Sequence, residues 1–88
     1  MSPQFTTRGW ADYVAWQQRD LKTLRRINRL IDDINRNGYS GIGDPEPLVG
    51  EFSGWWSRRI DARNRLIYRM LANGNAEIAQ CGGHYADR

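Results

Sequence analysis

The sequence predicts an α+β fold in which two N-terminal helices pack on one face of a small antiparallel meander sheet. In the first half of the chain, apolar residues recur at spacings of three and four, which is typical of amphipathic helices. In the second half, segments rich in β-branched and aromatic residues are separated by turn-forming residues, which indicates strands. A chain of 88 residues can bury one small core, so we expect a single domain over residues 1–88.

A short strand and a first helix are predicted at the start of the chain. Residues 3–6 can form a strand at an edge of the sheet, and Thr7 can cap a helix over about residues 8–19. The candidate core positions of this helix are Trp10, Tyr13 and Val14, with Trp16 on another flank.

The second predicted helix has the clearer boundaries. Asp20 is a suitable N-cap, and the apolar repeat ends near Asn37 and Gly38, where glycine can supply the C-cap. The apolar stripe comprises Leu21, Leu24, Ile27, Leu30, Ile31 and Ile34. We interpret the opposite side as a solvated face, which carries Arg25, Arg26, Arg29, Asp32, Asp33 and Arg36.

Three strands are predicted after a glycine- and proline-rich loop over residues 38–47. They are residues 55–60, residues 65–71, and a last strand from residue 76 to His84 or Tyr85, joined by turns at 61–64 and 73–75. Residues paired across an antiparallel hairpin share a face, so the loop lengths determine which side chains are neighbours.

Counting back from a two-residue loop at Gly74–Asn75 pairs Arg65 with His84. A loop at Asn73–Gly74 keeps these two side chains on one face, whereas a three-residue loop pairs Arg65 with Tyr85 instead. With a four-residue loop over 61–64, the basic face comprises Arg58, Arg65, Arg69, Gln80 and His84. The opposite, core face then comprises Leu66, Tyr68, Met70, Ala79 and Cys81.

Composition favours a basic protein of the cytoplasm. The formal net charge is +3, and 12 of the 13 cationic residues are arginine, whose planar fork suits phosphate but is also common on solvated surfaces. One cysteine cannot form an internal disulfide, no signal peptide is recognisable, and no apolar run is long enough to cross a membrane.

The residue inventory leaves metal-free cleavage of RNA chemically open. One His, one Cys and no clustered carboxylates are too few for a zinc or two-metal site, so we expect no cofactor. No phosphate-binding glycine motif and no recognisable nucleophilic triad are present. RNA carries its own nucleophile, the 2′-hydroxyl, so a protein needs only a base, an acid and cations around the phosphate.

Two residues are candidates for the base and the acid. His84 suits the acid because its ordinary pKa is near neutrality, and Glu46 is held between Pro45 and Pro47, which restrict its backbone. Taken alone, Glu46 is better explained as a surface glutamate in a turn, and His84 is equally compatible with a solvated side chain, so the hypothesis depends on the pair. Bases could stack on Trp55, Trp56 and Tyr85, although we expect Trp10, Tyr13 and at least one of Trp55 and Trp56 to lie in the core.

Several segments together resemble a known family. They are "WADYVAWQ", the Ile/Leu-rich second helix, "DPEPLVGEFSGWWSRRID", "RLIYR" and the closing "HY". From about Phe5 to Tyr85 the chain resembles the YoeB/Txe toxins of the RelE superfamily. The resemblance implies a microbial-ribonuclease-like α+β fold and a toxin that enters the ribosomal A site and cleaves mRNA there. It also implies a YefM-like antitoxin as partner and a homodimer as one oligomeric state.

The resemblance assigns roles to individual residues. Glu46 of P-E-P is implied as the general base, His84 of the closing H-Y as the general acid, and Arg65 as the stabiliser of the transition-state phosphate. Tyr85 is implied to position or stack on the substrate base. Arg59 of the R-R pair is a further phosphate-binding candidate.

Strand parity instead favours Arg58 as the phosphate-binding member of the R-R pair, which leaves the choice between Arg58 and Arg59 open.

The chain departs from the family pattern at three places. Val49 stands where a basic or polar residue is common, and Arg63 and Asn64 replace an acidic residue and a histidine. Residues 86–88 extend past the point where the family usually stops. None of these changes removes a residue with an implied role.

Two other functions remain as alternatives. One is a toxin on the same fold that blocks its target without cutting it, as gyrase-inhibiting relatives do, which would not require Glu46 together with His84. The other is a basic RNA-binding module, whose function would depend on arginines but not on either of these two residues.

Overall fold

The structure, a computed structural model, describes residues 2–83. Within that range the chain forms two α-helices, a five-stranded sheet and one short 3₁₀ turn at Gly50–Phe52. The elements in chain order are β1 Gln4–Phe5, α1 Thr7–Arg19, α2 Leu21–Asn37, β2 Glu46–Pro47, β3 Trp56–Arg59, β4 Arg65–Met70 and β5 Ala76–Cys81. The predicted α+β class is confirmed.

Local capping explains where both helices begin and end. Thr6, one residue earlier than predicted, caps α1 by accepting a hydrogen bond from the Gly9 N–H at 3.1 Å. Asp20 caps α2 as predicted, accepting from the N–H groups of Lys22 and Thr23, and Gly38 follows its last residue. Neither helix of the described chain is long and apolar enough to cross a membrane.

The strands lie side by side in the order β1-β5-β4-β3-β2. The three predicted strands β3 to β5 form the antiparallel meander, β2 extends it by pairing antiparallel to β3, and β1 joins the other edge by pairing parallel to β5. The end of the predicted loop over 38–47 is itself a strand, because Glu46 pairs with Ser57 of β3. Glu46 therefore belongs to the sheet.

Both helices pack on one face of the sheet and enclose one core. The close approach of α1 to β5 occurs at Gly9, where an added Cβ would lie 2.2 Å from the Ile78 carbonyl oxygen. The helix therefore turns Gly9 and Trp16, seven residues apart, towards the sheet. The core cluster comprises Trp16, Ile27, Leu30, Ile31, Ile34, Ile60, Leu66, Tyr68, Ala76, Ile78 and Cys81.

The prediction that Trp10 lies in the core is wrong. Trp10 is 53% exposed and Trp16, expected on another flank, is only 5% exposed. Trp10 stacks on Tyr13 at the surface, with ring centroids 5.9 Å apart, while Tyr13 is partly buried against the core. The requirement for a side-chain-free contact at Gly9 rotates the helix away from the predicted orientation.

The placement of Arg58 on the open basic face is also wrong. Arg59, not Ile60, pairs with Arg65, so the β3–β4 connection has one residue more than predicted. A shift of one residue exchanges the two faces of a strand. Arg58 consequently points into the interior with 0% exposure, and Arg59 lies beside Arg65 on the open face.

The pairing of β4 with β5 differs from the predicted pairing in two ways. Ala76 pairs with Met70, which lengthens the turn, and a bulge shifts the register further along the ladder. Ile78 therefore occupies the core position predicted for Ala79. His84, the predicted neighbour of Arg65, lies outside the described residues.

Candidate functional site

A cleft of about 290 Å³ opens on the sheet face that the helices leave uncovered. Glu46 and Ser57 form one cross-strand pair at this cleft, and Arg59 and Arg65 form another. The structure thus brings together three residues that the sequence analysis singled out. The full lining is Asp44, Glu46, Pro47, Leu48, Val49, Ser57, Arg59 and Arg65.

The two arginines of the cleft are held differently. The Arg65 Nη1 donates to the carbonyl oxygens of Asp61 at 2.8 Å and Asn64 at 3.2 Å, so the β3–β4 loop orients this guanidinium. Arg59 is more exposed, and its Nε lies 3.7 Å from Asp44 Oδ2, a weak surface ion pair. The two guanidinium groups can bind an anion, and the Glu46 carboxylate can accept a proton next to it, while the second carboxylate of the cleft, Asp44, is paired with Arg59.

Backbone geometry directs Glu46 into the cleft. Asp44 has φ 53°, a left-handed conformation that is uncommon outside glycine, and it immediately precedes the Pro45-Glu46-Pro47 segment. This turn lets Glu46 and Pro47 pair with β3 at the sheet edge, where the N–H that proline lacks is not needed on the solvent side.

The buried Arg58 fixes the loop that leads to this turn. Its guanidinium donates to the carbonyl oxygens of Gly38 at 2.7 Å, Ser40 at 2.8 Å and Ile42 at 3.0 Å, and it also forms a salt bridge with the Asp33 carboxylate. The hydrogen bond from Arg58 is the largest of the effects that hold the pKa of Asp33 below its ordinary value.

Sequence reasoning missed the Arg58 cage, the set of acceptors that surrounds the Arg58 guanidinium: the Asp33 carboxylate and the carbonyl oxygens of Gly38, Ser40 and Ile42. Asp33 was assigned to the solvated face of α2, yet its carboxylate accepts from the backbone N–H of Ile42 at 3.1 Å as well as from Arg58. The signal that the sequence offers is the glycine at position 41 of the loop. An added Cβ there would lie 1.9 Å from the Asp33 carboxylate. Glycine there indicates a close approach to a side chain on the helix.

The rest of that face of α2 forms a second, larger groove of about 580 Å³ against the β3–β4 loop. Arg26 contributes to its wall by donating to the Arg59 carbonyl oxygen at 3.1 Å, whereas Arg25 and Arg29 are exposed as predicted. The lining is Asp20, Lys22, Thr23, Arg25, Arg26, Arg29, Ile60 and Asp61.

The two adjacent tryptophans lie on opposite faces of the sheet. Trp56 packs against the core and stacks on Tyr39 with centroids 4.5 Å apart, which confirms that one of the pair is a core residue. Trp55 lies on the open face with Ile67, and the Arg69 guanidinium sits 4.5 Å from its ring centroid. Of the two, Trp55 is the one on the open face.

His84 and Tyr85 lie outside the described residues, so of the predicted site residues the structure gives the positions of Glu46, Arg58, Arg59 and Arg65. Among residues 2–83, no three His, Cys, Asp or Glu side chains are grouped to hold a metal ion. The lone thiol, Cys81, is buried, and burial raises its pKa to about 12. Such a thiol does not provide a nucleophile at neutral pH.

Comparison with known proteins gives a consistent result. The family model for the YoeB-like toxin of bacterial type II toxin–antitoxin systems matches residues 5–85. The toxin YoeB of Streptomyces coelicolor is 51% identical over 81 residues, covering 92% of this chain and 95% of that protein. A YoeB/ParE toxin from Agrobacterium tumefaciens has a TM-score of 0.92 at 42% identity, covering 97% of this chain and 100% of that one.

Two structures from Staphylococcus aureus are also similar, a heterotetrameric YoeB–YefM toxin–antitoxin complex and a YoeB dimer. Their TM-scores are 0.89 and 0.87, each at 38% identity and covering 97% of this chain and 98% of that one. Two helices on a mixed sheet with an open cleft define the RelE-like α+β class of toxins. The chain belongs to the YoeB family of toxins from bacterial type II toxin–antitoxin systems.

Proposed function

We propose that this toxin is a metal-independent endoribonuclease that cleaves mRNA in the ribosomal A site and thereby inhibits translation. The observation that carries the proposal is the convergence of Glu46, Arg59 and Arg65 on one open cleft. A carboxylate beside two guanidinium groups supplies the base and the cations that attack by a 2′-hydroxyl on a phosphate requires from the protein.

In the proposed reaction Glu46 takes the proton from the 2′-hydroxyl, and the oxygen attacks the adjacent phosphorus. The bond from phosphorus to the 5′-oxygen breaks, and His84 donates a proton to that leaving oxygen. The products are a 2′,3′-cyclic phosphate and a 5′-hydroxyl, so protons and charge balance. Arg65 and Arg59 stabilise the negative charge that develops on the phosphate oxygens, and Tyr85 positions the base.

Of the R-R pair, Arg59 is the phosphate-binding member in this proposal. Arg58 has all its donors directed at Asp33, Tyr68 and loop carbonyl oxygens, and it is fully buried. Arg59 has a side chain that is 60% exposed at the cleft, with only a long ion pair to Asp44 to release.

We infer that a YefM-like antitoxin neutralises this toxin and that the toxin can also form a homodimer. The support is the likeness to the Staphylococcus aureus YoeB–YefM complex and YoeB dimer. An acidic or disordered segment that covers the cleft would satisfy Arg59 and Arg65 and exclude RNA. Size-exclusion chromatography with light scattering distinguishes monomer, dimer and complex.

Primer extension on mRNA in a purified translation system, with and without ribosomes, tests the proposed activity. We expect cuts only with ribosomes, and a loss of about 10²- to 10⁴-fold in rate for Glu46→Gln and for His84→Gln. Glu51→Gln, an exposed glutamate outside the 290 Å³ cleft, is the matched control and should cleave normally.

Three results would contradict the proposal. Equal cutting of naked RNA would remove the dependence on ribosomes. Inhibition of growth without any cut would favour a toxin that blocks its target. Full activity of Glu46→Gln and His84→Gln with loss only on removal of arginines would favour a simple RNA-binding module.

A further inference from the structure

Residues 81–83, at and just after the last ladder pair of β5, are held by hydrogen bonds with side chains and with the backbone. Trp16 Nε1 donates to the Cys81 carbonyl oxygen at 2.6 Å, and Gln80 Nε2 donates to that of Gly82 at 2.7 Å. The Gly83 N–H donates to Asn64 Oδ1 at 2.7 Å, and the Gly83 carbonyl oxygen accepts from the Arg65 N–H at 2.9 Å. Both polar groups of Gly83 are therefore bonded to the start of β4.

Asn64 can hold Gly83 because its own amide is fixed. Asn64 Nδ2 donates to both carboxylate oxygens of Asp61, at 3.1 and 3.0 Å. Asp61 Oδ1 also accepts from the backbone N–H groups of Arg63 at 2.8 Å and Asn64 at 2.7 Å. With the nitrogen bound to Asp61, the amide oxygen must face the Gly83 N–H.

The Asp61 carboxylate that anchors the amide stays ionised at neutral pH. Burial acts to raise the pKa of Asp61, but hydrogen bonds from the Asn64 side chain and from the Arg63 and Asn64 N–H groups outweigh it. The positive charge of Arg65 acts in the same direction, and the pKa lies below its ordinary value. The anchor therefore holds across the pH range in which a histidine titrates.

The same loop also orients the cleft, because Arg65 Nη1 donates to the Asp61 carbonyl oxygen at 2.8 Å. One loop thus fixes both the guanidinium in the cleft and the residue that immediately precedes His84 in the sequence. We propose that Asn64 is a positioning residue of the active site, because it holds Gly83, the residue before His84 in the sequence, beside Arg65. This inference rests on the proposed role of His84.

In the variant Asn64→Leu, the leucine side chain keeps the branched shape of asparagine but has no hydrogen-bonding group. A displacement of about 1 Å in a reacting group can lower a rate by about 10²-fold, so we expect kcat to fall by about 10- to 100-fold. KM should change by less than about twofold, because Arg59 lies outside this loop and Arg65 keeps its bonds to backbone carbonyl oxygens, which the side-chain change does not remove. The assay is single-turnover cleavage on programmed ribosomes.

A double variant separates positioning from other roles. If Asn64 acts through His84, Asn64→Leu should add little to the loss already caused by His84→Gln. In the single variant Asn64→Leu, the ¹H–¹⁵N signal of Gly83 should also shift, and the Gly83 amide should exchange faster with solvent. This second readout does not depend on activity.

Asn73→Leu is the matched control, because Asn73 Oδ1 likewise accepts a backbone N–H, from Asn75 at 2.9 Å, at the other end of β4. We expect it to lower thermal stability while leaving kcat unchanged. If Asn64→Leu does not fold, Asn64→Ala makes the same test without added bulk.

The proposal is wrong if the Asn64 variants keep full kcat. It is also wrong if their loss multiplies with that of His84→Gln, since Asn64 would then act independently. A separate outcome, full activity of His84→Gln alone, would overturn the proposed function itself.

Discussion

At the scale of single residues, two adjacent arginines of β3 have opposite surroundings. Arg58 is fully buried and donates to three loop carbonyl oxygens, Asp33 and the Tyr68 hydroxyl, whereas Arg59 lies at the open cleft. A buried guanidinium is tolerated only when its donors are satisfied, and here the loop before β2 supplies the acceptors. Arg58 thereby determines the course of the loop that leads to Glu46.

We expect Arg58→Met to lower the free energy of unfolding by about 3–5 kcal/mol, because it leaves a carboxylate and several carbonyl oxygens without their partner. Arg59→Met, next to it but exposed, should change stability by less than about 0.5 kcal/mol. Urea denaturation followed by circular dichroism measures both. Equal losses for the two variants would contradict this account of Arg58.

The same cage predicts a dependence of stability on pH. The pKa of Asp33 is lower in the folded chain than its ordinary value of 3.8, mainly because of the hydrogen bond from Arg58. The stabilisation is therefore fully present above that value and is lost as the pH falls through the folded pKa.

Asp33→Asn should accordingly flatten the fall in unfolding free energy between about pH 5 and pH 2. Asp32→Asn, the neighbouring aspartate whose ion pair with Arg36 is solvent-exposed, should keep the slope of the parent protein. Urea titrations at a series of pH values measure the slopes. Identical profiles for parent and Asp33→Asn would show that the Arg58–Asp33 pair does not contribute.

At the scale of elements, the two helices, the strands β3 to β5 and the core face of β4 were predictable, but the face of β3 was not. Local signals mark the limits of α2, with Asp20 before it and Gly38 after it. The faces depend on loop length, and one extra residue between Arg59 and Arg65 reverses every side chain of β3. Several turn-forming residues in that loop fit either length, so the sequence could not distinguish Arg58 from Arg59.

The residues of the cleft were predictable where they depend on local sequence, and were not predictable where they depend on contacts between distant residues. The prolines beside Glu46 and the position of Arg65 at the start of a strand are local features. The cage around Arg58 and the bond from Asn64 to Gly83 join residues far apart in the chain. No local pattern encodes contacts of that kind.

The contact between α1 and β5 gives a prediction for Gly9→Ala. Helix propensity alone would make this change stabilising by about 1 kcal/mol. The new Cβ would lie 2.2 Å from the Ile78 carbonyl oxygen, so we expect a net loss of about 1–3 kcal/mol.

Thermal unfolding of Gly9→Ala shows whether the substitution raises or lowers the stability of the protein. Ala15→Gly, at an exposed position of the same helix, is the control and should lose about 1 kcal/mol through propensity alone. A higher midpoint for Gly9→Ala than for the parent would mean that α1 does not approach β5 so closely.

At the scale of the whole molecule, a net charge of +3 would strengthen the RNA binding that we propose and would make it sensitive to salt. Val49, on the rim of the cleft, is 81% exposed and contributes no charge. The cleft can therefore accommodate one more cation without disturbing the core.

We expect Val49→Lys to bind RNA more tightly and to steepen the plot of log affinity against log salt by about 0.7–0.9. Val49→Gln, which is polar but uncharged, should keep the slope of the parent protein. Fluorescence anisotropy with the catalytically impaired Glu46→Gln background measures binding without cleavage. The same slope for Lys and Gln would show that RNA does not pass over this rim.

The parallel pairing of β1 with β5 also affects when the sheet can be completed during synthesis of the chain. Gln4 of β1 pairs with Glu77 of β5. β1 therefore cannot pair until β5 has been synthesised, which happens after both helices and the other strands. Pairings between such distant residues form late in folding. A nascent chain that stops before β5 lacks the partner of β1 and of β4, and lacks Gly83 as well. The sheet and the Asn64–Gly83 contact can therefore be complete only after β5 and Gly83 have been synthesised.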